Sequence, residues 1–277
     1  MLNRQGCDVL RGSVLSVSDL SVVYGDVVAM RDATFEVASG VVCGIIGMNG
    51  SGKSSLFNSI VGNVRPARGS ISIFGLSPVA AMKRGMVAYA PQRESIDWNF
   101  PISVREVVMM GRYGFMSLSR RASQTDRDKV TQALEMTELV ELADRQIGQL
   151  SGGQKKRAFV ARAIAQGAKL LLLDEPFAGV DKKSEGMIVQ LIRQLCEKGC
   201  CVLVSTHDLN TLHGLCNEAI LVKNRILMHN TCEVVLRPNN LAMAFGLDPG
   251  YGTSKNNNDL NTFISATSAN GVADGSN

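Results

Sequence analysis

A glycine-rich loop constrains this chain more than any other feature of its sequence. The loop reads Gly47-Met48-Asn49-Gly50-Ser51-Gly52-Lys53-Ser54 and matches the pattern G-x-x-x-x-G-K-[ST]. An apolar run at 41–46 precedes it, and a run suited to a helix follows at 55–61. Glycines let backbone N–H groups close around phosphate oxygens, and a helix N-terminus adds unsatisfied donors and the positive end of its dipole. The pattern therefore predicts a nucleotide-binding phosphate loop between a buried strand and a helix.

Two side chains of this loop have specific predicted contacts. Lys53 is expected to reach the β- and γ-phosphates, and the hydroxyl of Ser54 is expected to ligate Mg²⁺. An ordinary glycine-rich turn is the alternative, and the flanking strand and helix make it the weaker one. The nucleotide-binding residues predicted here are Gly47, Asn49, Gly50, Ser51, Gly52, Lys53, Ser54 and Ser55.

A second apolar run ends in two adjacent carboxylates. Residues 170–173 are all leucine, and Asp174, Glu175 and Pro176 follow them. We expect Asp174 to hold the hydration shell of Mg²⁺ and Glu175 to act as general base on the attacking water, because hydrolysis needs a group that accepts the proton of that water. The alternative is a buried strand whose acids are merely solvated at its end. With a phosphate loop in the same chain, the catalytic interpretation is favoured.

Composition bounds the class of protein. The chain has 277 residues, 45% of them hydrophobic and 19% charged, which is typical of a globular protein with a sizeable core. Its net charge of +4 is too small to indicate a nucleic acid partner without a clustered patch. The densest basic stretch, at 120–129, is interrupted by Asp126 and Asp128 and is interpreted as a solvated helix face. No secretory signal peptide and no membrane span are predicted, since no apolar run is long enough.

Seven cysteines, an odd number without framework spacing, favour a reducing cytoplasm over a disulfide scaffold. A metal site is conceivable among the cysteines and histidines near one another in the sequence. Small buried cysteines in a strand are the favoured alternative, because two of them open a strand-like run. The residues in question are Cys196, Cys200, Cys201, His207, His213 and Cys216.

Strand and helix signals alternate along most of the chain and predict an α/β fold, with a mainly parallel sheet and helices on both faces. The exception is a block at about 93–160 without strand signals, interpreted as an inserted helical subdomain. Within it, the apolar spacing over 119–144 predicts two amphipathic helices. A flexible N-terminus at 1–13 and a disordered tail at 250–277 are also predicted.

A further stretch, Leu150-Ser151-Gly152-Gly153-Gln154, opens a helix and creates a second anion-binding N-terminus. Together with the phosphate loop, Asp174-Glu175 and the later Ser205-Thr206-His207-Asp208, in this order, it resembles the ATP-binding cassette (ABC) ATPases. The resemblance covers roughly residues 14–247. It implies one ABC ATPase domain at 14–249, a phosphate-loop NTPase fold with a RecA-like core sheet, an antiparallel β subdomain and an inserted α-helical subdomain.

The resemblance also implies a head-to-tail homodimer with two ATPs at its interface. Each ATP would lie between the phosphate loop of one copy and Ser151, Gly152, Gly153 and Gln154 of the other. Tyr24 would stack on adenine, with local packing at the strand end as its alternative. Asp181 would cross the dimer interface. The implied catalytic residues are Lys53, Gln92, Glu175 and His207, and the implied Mg²⁺ ligands are Ser54, Gln92 and Asp174.

A narrower resemblance lies at 91–104 and 107–114, which is similar to the subgroup that powers manganese, iron or zinc uptake in bacteria. In that subgroup the stretch meets the membrane permease, so Trp98 and Phe100 are candidate anchors. Packing within the helical subdomain is the alternative. Lys155, Lys156 and Arg157 are more basic than the family pattern and are interpreted as surface variation.

These features predict the ATP-hydrolysing subunit of a bacterial ABC importer for a divalent metal ion. It would be peripheral at the cytoplasmic face of the inner membrane, on a separate permease and indirectly served by an extracytoplasmic metal-binding protein. An importer for another substrate such as a metal chelate is the first alternative, and a soluble ABC ATPase of DNA repair or translation is the second. A phosphate-loop small-molecule kinase is the third, and residues 150–154 oppose it.

Overall fold

The computed structural model describes residues 13–92, 100–116, 120–206 and 208–245. Residues 1–12 of the predicted N-terminal segment, the predicted tail, Trp98 and His207 fall outside these residues, whereas Ser13 belongs to the first strand. The strands are β1 (Ser13–Tyr24), β2 (Val27–Ala38), β3 (Val42–Ile46), β4 (Arg68–Ile73), β5 (Val87–Ala90), β6 (Leu170–Asp174), β7 (Cys201–Ser205), β8 (Glu218–Val222) and β9 (Ile226–Thr231). The α-helices are α1 (Lys53–Ile60), α2 (Pro78–Lys83), α3 (Val104–Met109), α4 (Gln124–Met136), α5 (Gly152–Gln166), α6 (Lys182–Glu197), α7 (Leu209–Leu215), α8 (Cys232–Val235) and α9 (Pro238–Phe245).

Two sheets form the framework. The larger has the strand order β5-β6-β7-β3-β8-β9, parallel except for β9, which pairs antiparallel with β8. The smaller is antiparallel, with the order β2-β1-β4. The predicted α/β fold with a mainly parallel sheet and a separate antiparallel sheet is confirmed.

The four central strands of the larger sheet, β6, β7, β3 and β8, are buried on both faces, which explains why they are nearly continuous apolar runs. Alternate residues of β6 and β7 point to opposite faces. Leu170 and Leu172 pack with α1 and the antiparallel sheet, whereas Leu171 and Leu173 pack with α5 and α6. Because side chains alternate between the two faces of the strands, each strand provides apolar contacts for helices on both sides of the sheet.

A third hydrophobic cluster is formed by α3, α4 and α5 between Ile102 and Ala165, and no strand residue belongs to it. The prediction of two amphipathic helices in this region is wrong in one respect. Only α4 is an α-helix, and Val140–Leu142 form a 3-10 turn. α4 ends at Met136, and Glu138 takes a left-handed conformation with φ 53°, which breaks the helical path of the chain between α4 and this turn.

The structure also corrects two interpretations of charged residues. Arg157 is not surface variation, because it is buried and its Nη1 donates to the carbonyl of Thr137 at 2.9 Å, joining α5 to the end of α4. Asp126 is not on a solvated face, because it pairs with Arg112, Nε to Oδ1, at 2.9 Å. The spacing of apolar residues along the sequence does not reveal either partner, Thr137 for Arg157 or Arg112 for Asp126.

The pair between Arg112 and Asp126 leads to a stability prediction. Its side chains are only 11% and 7% exposed. Replacing Arg112 with Met should lower the free energy of unfolding by about 3 kcal/mol, because the Asp126 carboxylate is left buried without its counter-charge. Urea denaturation is the measurement. The matched control is Arg105→Met, whose pair with Asp144 is 44% and 84% exposed and should contribute less than about 1 kcal/mol.

The same pair makes the effect depend on pH. Hydrogen bonds from Ser123 and then Arg112 hold the pKa of Asp126 below its ordinary value. A carboxyl group with a lowered pKa in the folded state stabilises the fold above its unfolded pKa, and this contribution is lost as the pH falls through the folded pKa. The difference between wild type and Arg112→Met should therefore be full at neutral pH and shrink below about pH 4. A constant difference down to pH 2 would contradict the ion pair as its cause.

Candidate nucleotide site

The carboxyl ends of three adjacent parallel strands create the candidate site. β3 lies beside β7, where Ile45 pairs with Ser205, and β7 lies beside β6, where Ser205 pairs with Asp174. The phosphate loop starts directly after Ile46. Because parallel strands end at the same edge of the sheet, the loop, the acid of β6 and the hydroxyl of β7 meet there.

A cavity of about 300 Å³ opens at this edge. It brings together most of the predicted phosphate-loop residues with the predicted Mg²⁺ ligands Gln92 and Asp174. Its lining comprises Val27, Ala29, Asn49, Gly50, Gly52, Lys53, Ser54, Ser55, Gln92, Asp174, Glu175 and Asn224. A larger cleft of about 670 Å³ includes Ser39, Gly40 and Asn217 but none of the predicted site residues.

Two glycines of the loop are required by close backbone contacts. A Cβ atom on Gly47 would lie 2.3 Å from the carbonyl oxygen of Val222. Gly52 has φ 100°, and its Cβ would lie 2.4 Å from the carbonyl oxygen of Ala29. Neither position tolerates a side chain without a backbone shift, so the loop conformation depends on both glycines.

The cation of the loop is held by the loop itself. Nζ of Lys53 donates to the carbonyls of Gly47 at 2.7 Å and Met48 at 2.9 Å, and the residue is buried. Burial lowers the pKa of Lys53, and the carboxylates of Glu175 and Asp174 oppose that shift. The site therefore has one positive charge near two carboxylates. The positive charge suits a polyphosphate, and the carboxylates suit the metal ion that accompanies it.

Oxygen donors around Asp174 suit a hard divalent cation. Ser54 Oγ lies 3.3 Å from Asp174 Oδ2, and Ser205 Oγ donates to the other carboxylate oxygen. The hydroxyl of Ser51 is buried in the loop and has no hydrogen-bond partner, although buried polar atoms normally have one. A hydroxyl, a carboxylate and an unsatisfied polar atom in the loop fit a bound nucleotide with Mg²⁺.

The backbone turns sharply at the second acid. Glu175 has φ 51°, an uncommon value outside glycine, and its N–H donates to the carbonyl of Ser205 at 3.0 Å. In a continuing strand, residues 174 and 175 would point to opposite faces. The left-handed turn instead lets both carboxylates line the cavity, as their predicted roles require.

Asn224, in the turn of the β8–β9 hairpin, is a site residue that the sequence analysis does not identify. Its N–H donates to the carbonyl of Ser51 at 2.8 Å, and its Nδ2 contacts the carbonyls of Ala29 at 3.2 Å and Gly50 at 3.4 Å. It has φ 52°. The hairpin thus fastens the phosphate loop to β2. An asparagine in a tight turn was the sequence signal, but it did not indicate the partner.

The second predicted anion site is at the start of α5, and none of its residues lines the cavity. Ser151 caps the helix, since its Oγ accepts from the N–H of Gln154 at 3.3 Å and the Gln154 side chain accepts from its N–H at 2.9 Å. A Cβ on Gly153 would lie 2.5 Å from Ser184 Oγ, at the start of α6. The exposed helix end is therefore not part of the cavity at the chain's own phosphate loop.

Asp181 caps α6 beside this helix end. Its carboxylate accepts from the N–H of Ser184 at 2.9 Å and from the Ser184 hydroxyl at 2.8 Å. These bonds lower the pKa of Asp181. Its predicted contact across a dimer interface stays a prediction. Tyr24 ends β1 with 46% of its surface exposed and is absent from the cavity lining, so its stacking role also stays a prediction.

Among the described residues, no helix has both the length and the apolar character needed to cross a membrane.

Comparison with known proteins places this geometry in a family. The family model described as ABC transporter matches residues 30–178. The chain is 46% identical to the manganese transport system ATP-binding protein MntA of Synechocystis sp., over 84% of this chain and 90% of that protein. It is 45% identical to the chelated iron transport system membrane protein YfeB of Yersinia pestis, over 84% of this chain and 79% of that protein. A solved metal-chelate type ABC transporter in an inward-facing conformation matches with a TM-score of 0.75 and 29% identity, over 84% of this chain and 89% of that one.

Proposed function

Since this chain belongs to the ABC transporter family and is an ATP-binding ABC ATPase, we propose that it powers a bacterial importer of manganese, iron or zinc. The observation that carries the proposal is the cavity in which the phosphate loop, Asp174 and Glu175 meet. The relatives named for manganese and chelated iron transport support the choice of substrate. Chelated iron is the second candidate, because the matching solved transporter is of the metal-chelate type.

Mg²⁺ is the proposed cofactor of ATP. Ser54, Asp174 and Gln92 would hold it, since a hydroxyl, a carboxylate and an amide oxygen are ligands that Mg²⁺ prefers. When bound, it neutralises charge on the phosphates. Lys53 would then exchange its bonds to the loop carbonyls for phosphate oxygens.

Glu175 is the proposed general base. Glu175 lines the cavity one residue after Asp174. The left-handed turn at Glu175 lets both residues line the cavity, whereas consecutive residues of a regular strand would point to opposite faces. Glu175 would accept the proton of the water that attacks the γ-phosphorus. His207, which the family resemblance places on the γ-phosphate, is proposed as a second contact to that group.

The proposed active unit is a head-to-tail pair of this chain. The capped and exposed N-terminus of α5, with Ser151, Gly152 and Gly153, does not line its own chain's cavity. It offers hydrogen-bond donors and a positive dipole end to an anion from outside. In a pair, each such helix end would close over the ATP on the other copy, with Asp181 beside the interface.

The proposed permease contact lies around Trp98 and Phe100. Phe100 is 60% exposed, and large exposed aromatic side chains commonly anchor protein interfaces. A subunit bound in this way would be peripheral at the cytoplasmic face of the inner membrane. An extracytoplasmic metal-binding protein would deliver the ion to the permease and would not contact this chain.

Metal uptake by cells tests the proposal. Cells lacking this chain should lose high-affinity uptake of manganese, iron or zinc, and the wild-type chain should restore it. The matched control is the chain carrying Glu175→Gln, which keeps the fold but should fail to restore uptake. Uptake of manganese, zinc, free iron and chelated iron is measured in parallel. Unchanged uptake of all four would overturn the substrate assignment and leave the ATPase standing.

A further inference from the structure

Three side chains with different metal-binding groups converge away from the nucleotide cavity. They are Cys43 on β3, Glu218 on β8 and His229 on β9. Cys43 pairs with Glu218 across β3 and β8, and Ile220, two residues beyond Glu218, pairs with His229. One ligand atom from each, a sulfur, an oxygen and a nitrogen, lies within 4.8 Å of both others. None of the three residues lines the cavity of the phosphate loop.

Two of these atoms lack the partners that buried polar atoms normally have. Oε1 of Glu218 and Nε2 of His229 are buried and make no hydrogen bond, although only 3.4 Å separates them. Cys43 is fully buried beside them. Such orphaned atoms require an explanation. A protonated His229 paired with Glu218 is one, and an ion between them is the other.

The donor set selects the class of ion. A thiolate, an imidazole and a carboxylate are the ligands of tetrahedral zinc, whereas Mn²⁺ and Mg²⁺ prefer oxygen ligands alone. We propose that Cys43, Glu218 and His229 bind one Zn²⁺ ion per chain. Tetrahedral zinc places its ligand atoms about 3.3 to 3.7 Å apart, so atoms that lie within 4.8 Å of one another need to approach by about 1.5 Å at most.

Binding of the ion depends on the exposure of the cluster and on the protonation of its thiol. The side chains of His229 and Glu218 are 24% and 27% exposed, so the cluster lies close to solvent although its two ligand atoms from these residues are buried. Burial and then the charge of Glu218 raise the pKa of the Cys43 thiol well above its ordinary value. Zinc must therefore displace a proton from Cys43 as it binds.

The site lies on the strands that carry the phosphate loop. β3 runs from Cys43 into the loop, and the β8–β9 hairpin contacts the loop through Asn224. The ring of His229 also makes an edge contact with Phe35 of β2, with centroids 6.3 Å apart. An ion here would join β3, β8 and β9 into one rigid unit, and it should raise the melting temperature.

The test uses the full, untagged chain, stripped of metal and free of nucleotide. Zinc titration should reach one equivalent per chain, and a zinc concentration of about 100 times Kd should raise Tm by about 5 °C. Co²⁺ should give the absorption band of a thiolate ligand. The variants Cys43→Ala and His229→Gln should each fail to bind the one equivalent of zinc and should show no rise in Tm. Neither should give the Co²⁺ thiolate absorption band.

The matched control is Cys201→Ala, a buried cysteine of the neighbouring strand β7 that lacks these two partners. It should bind zinc as the wild type does, which separates loss of the site from loss of a buried thiol. If one variant fails to fold, the other still reports. Wild-type chain that binds no zinc, or variants that bind it as the wild type does, would overturn the proposal and leave the Glu218–His229 ion pair as the explanation.

Discussion

Glu175→Gln should lower ATP hydrolysis by about 10³-fold, because it removes the proposed acceptor of the proton of the attacking water. The substitution exchanges one carboxylate oxygen for an amide nitrogen and preserves the size of the side chain at its left-handed turn. ATP binding should be retained, since Lys53 and the loop, which are proposed to contact the phosphates, are unchanged. Steady-state turnover and equilibrium binding of labelled ATP are the two measurements.

The control is Glu233→Gln, the same chemical change at an exposed residue of α8. It should leave turnover unchanged. A Glu175→Gln chain that retains most of its rate would remove Glu175 from the role of general base. A chain that loses ATP binding as well would indicate that the carboxylate shapes the cavity instead of acting on water.

Two inactive variants should restore activity when they are mixed. Lys53→Ala removes the cation of the phosphate loop, and Ser151→Asp places a negative charge at the helix end proposed to face the partner's ATP. Each alone should lose hydrolysis by about 10²-fold or more. In a mixed pair, one of the two sites combines the intact loop of one copy with the intact helix end of the other. Random mixing should thus recover about one quarter of the wild-type rate if the sites act independently.

The choice of aspartate separates charge from helix capping. Asp caps a helix as well as Ser does, so α5 should keep its N-terminus. Ser151→Asn, which also caps but carries no charge, is the control and should retain most of the activity. A mixture no faster than its two components would contradict a site shared between copies. So would a Ser151→Asp chain with the wild-type rate.

Much of the site could be predicted because its parts are local in sequence. The phosphate loop and the acids of β6 each follow an apolar strand within a few residues, and parallel strands bring such ends together. The contacts of Ser205 and Asn224 were missed for the opposite reason. Their partners are 31 residues away at Asp174 and 174 residues away at Gly50, and no periodicity encodes such contacts.

The helical region shows the same limit in another form. Spacing of apolar residues predicted α4, but it cannot detect the left-handed turn at Glu138 that breaks the helical path after it. Nor does it reveal that Arg157 and Asp126 are buried, because charged residues in a helix are usually solvated. Their burial depends on Thr137 and Arg112, which contribute single hydrogen bonds from other elements.

The central position of β3 also affects the order in which the molecule can be built during synthesis. Both neighbours of β3, β7 and β8, come late in the chain, and Ser39, just before β3, donates to a carbonyl 160 residues further on at Gly199. At translation rates of about 5 to 20 residues per second, the strand waits on the order of 10 to 30 s for its partners. An apolar segment and a nascent phosphate loop are therefore exposed while the rest is made. The nucleotide site can therefore form only after β7 and β8 have been synthesised.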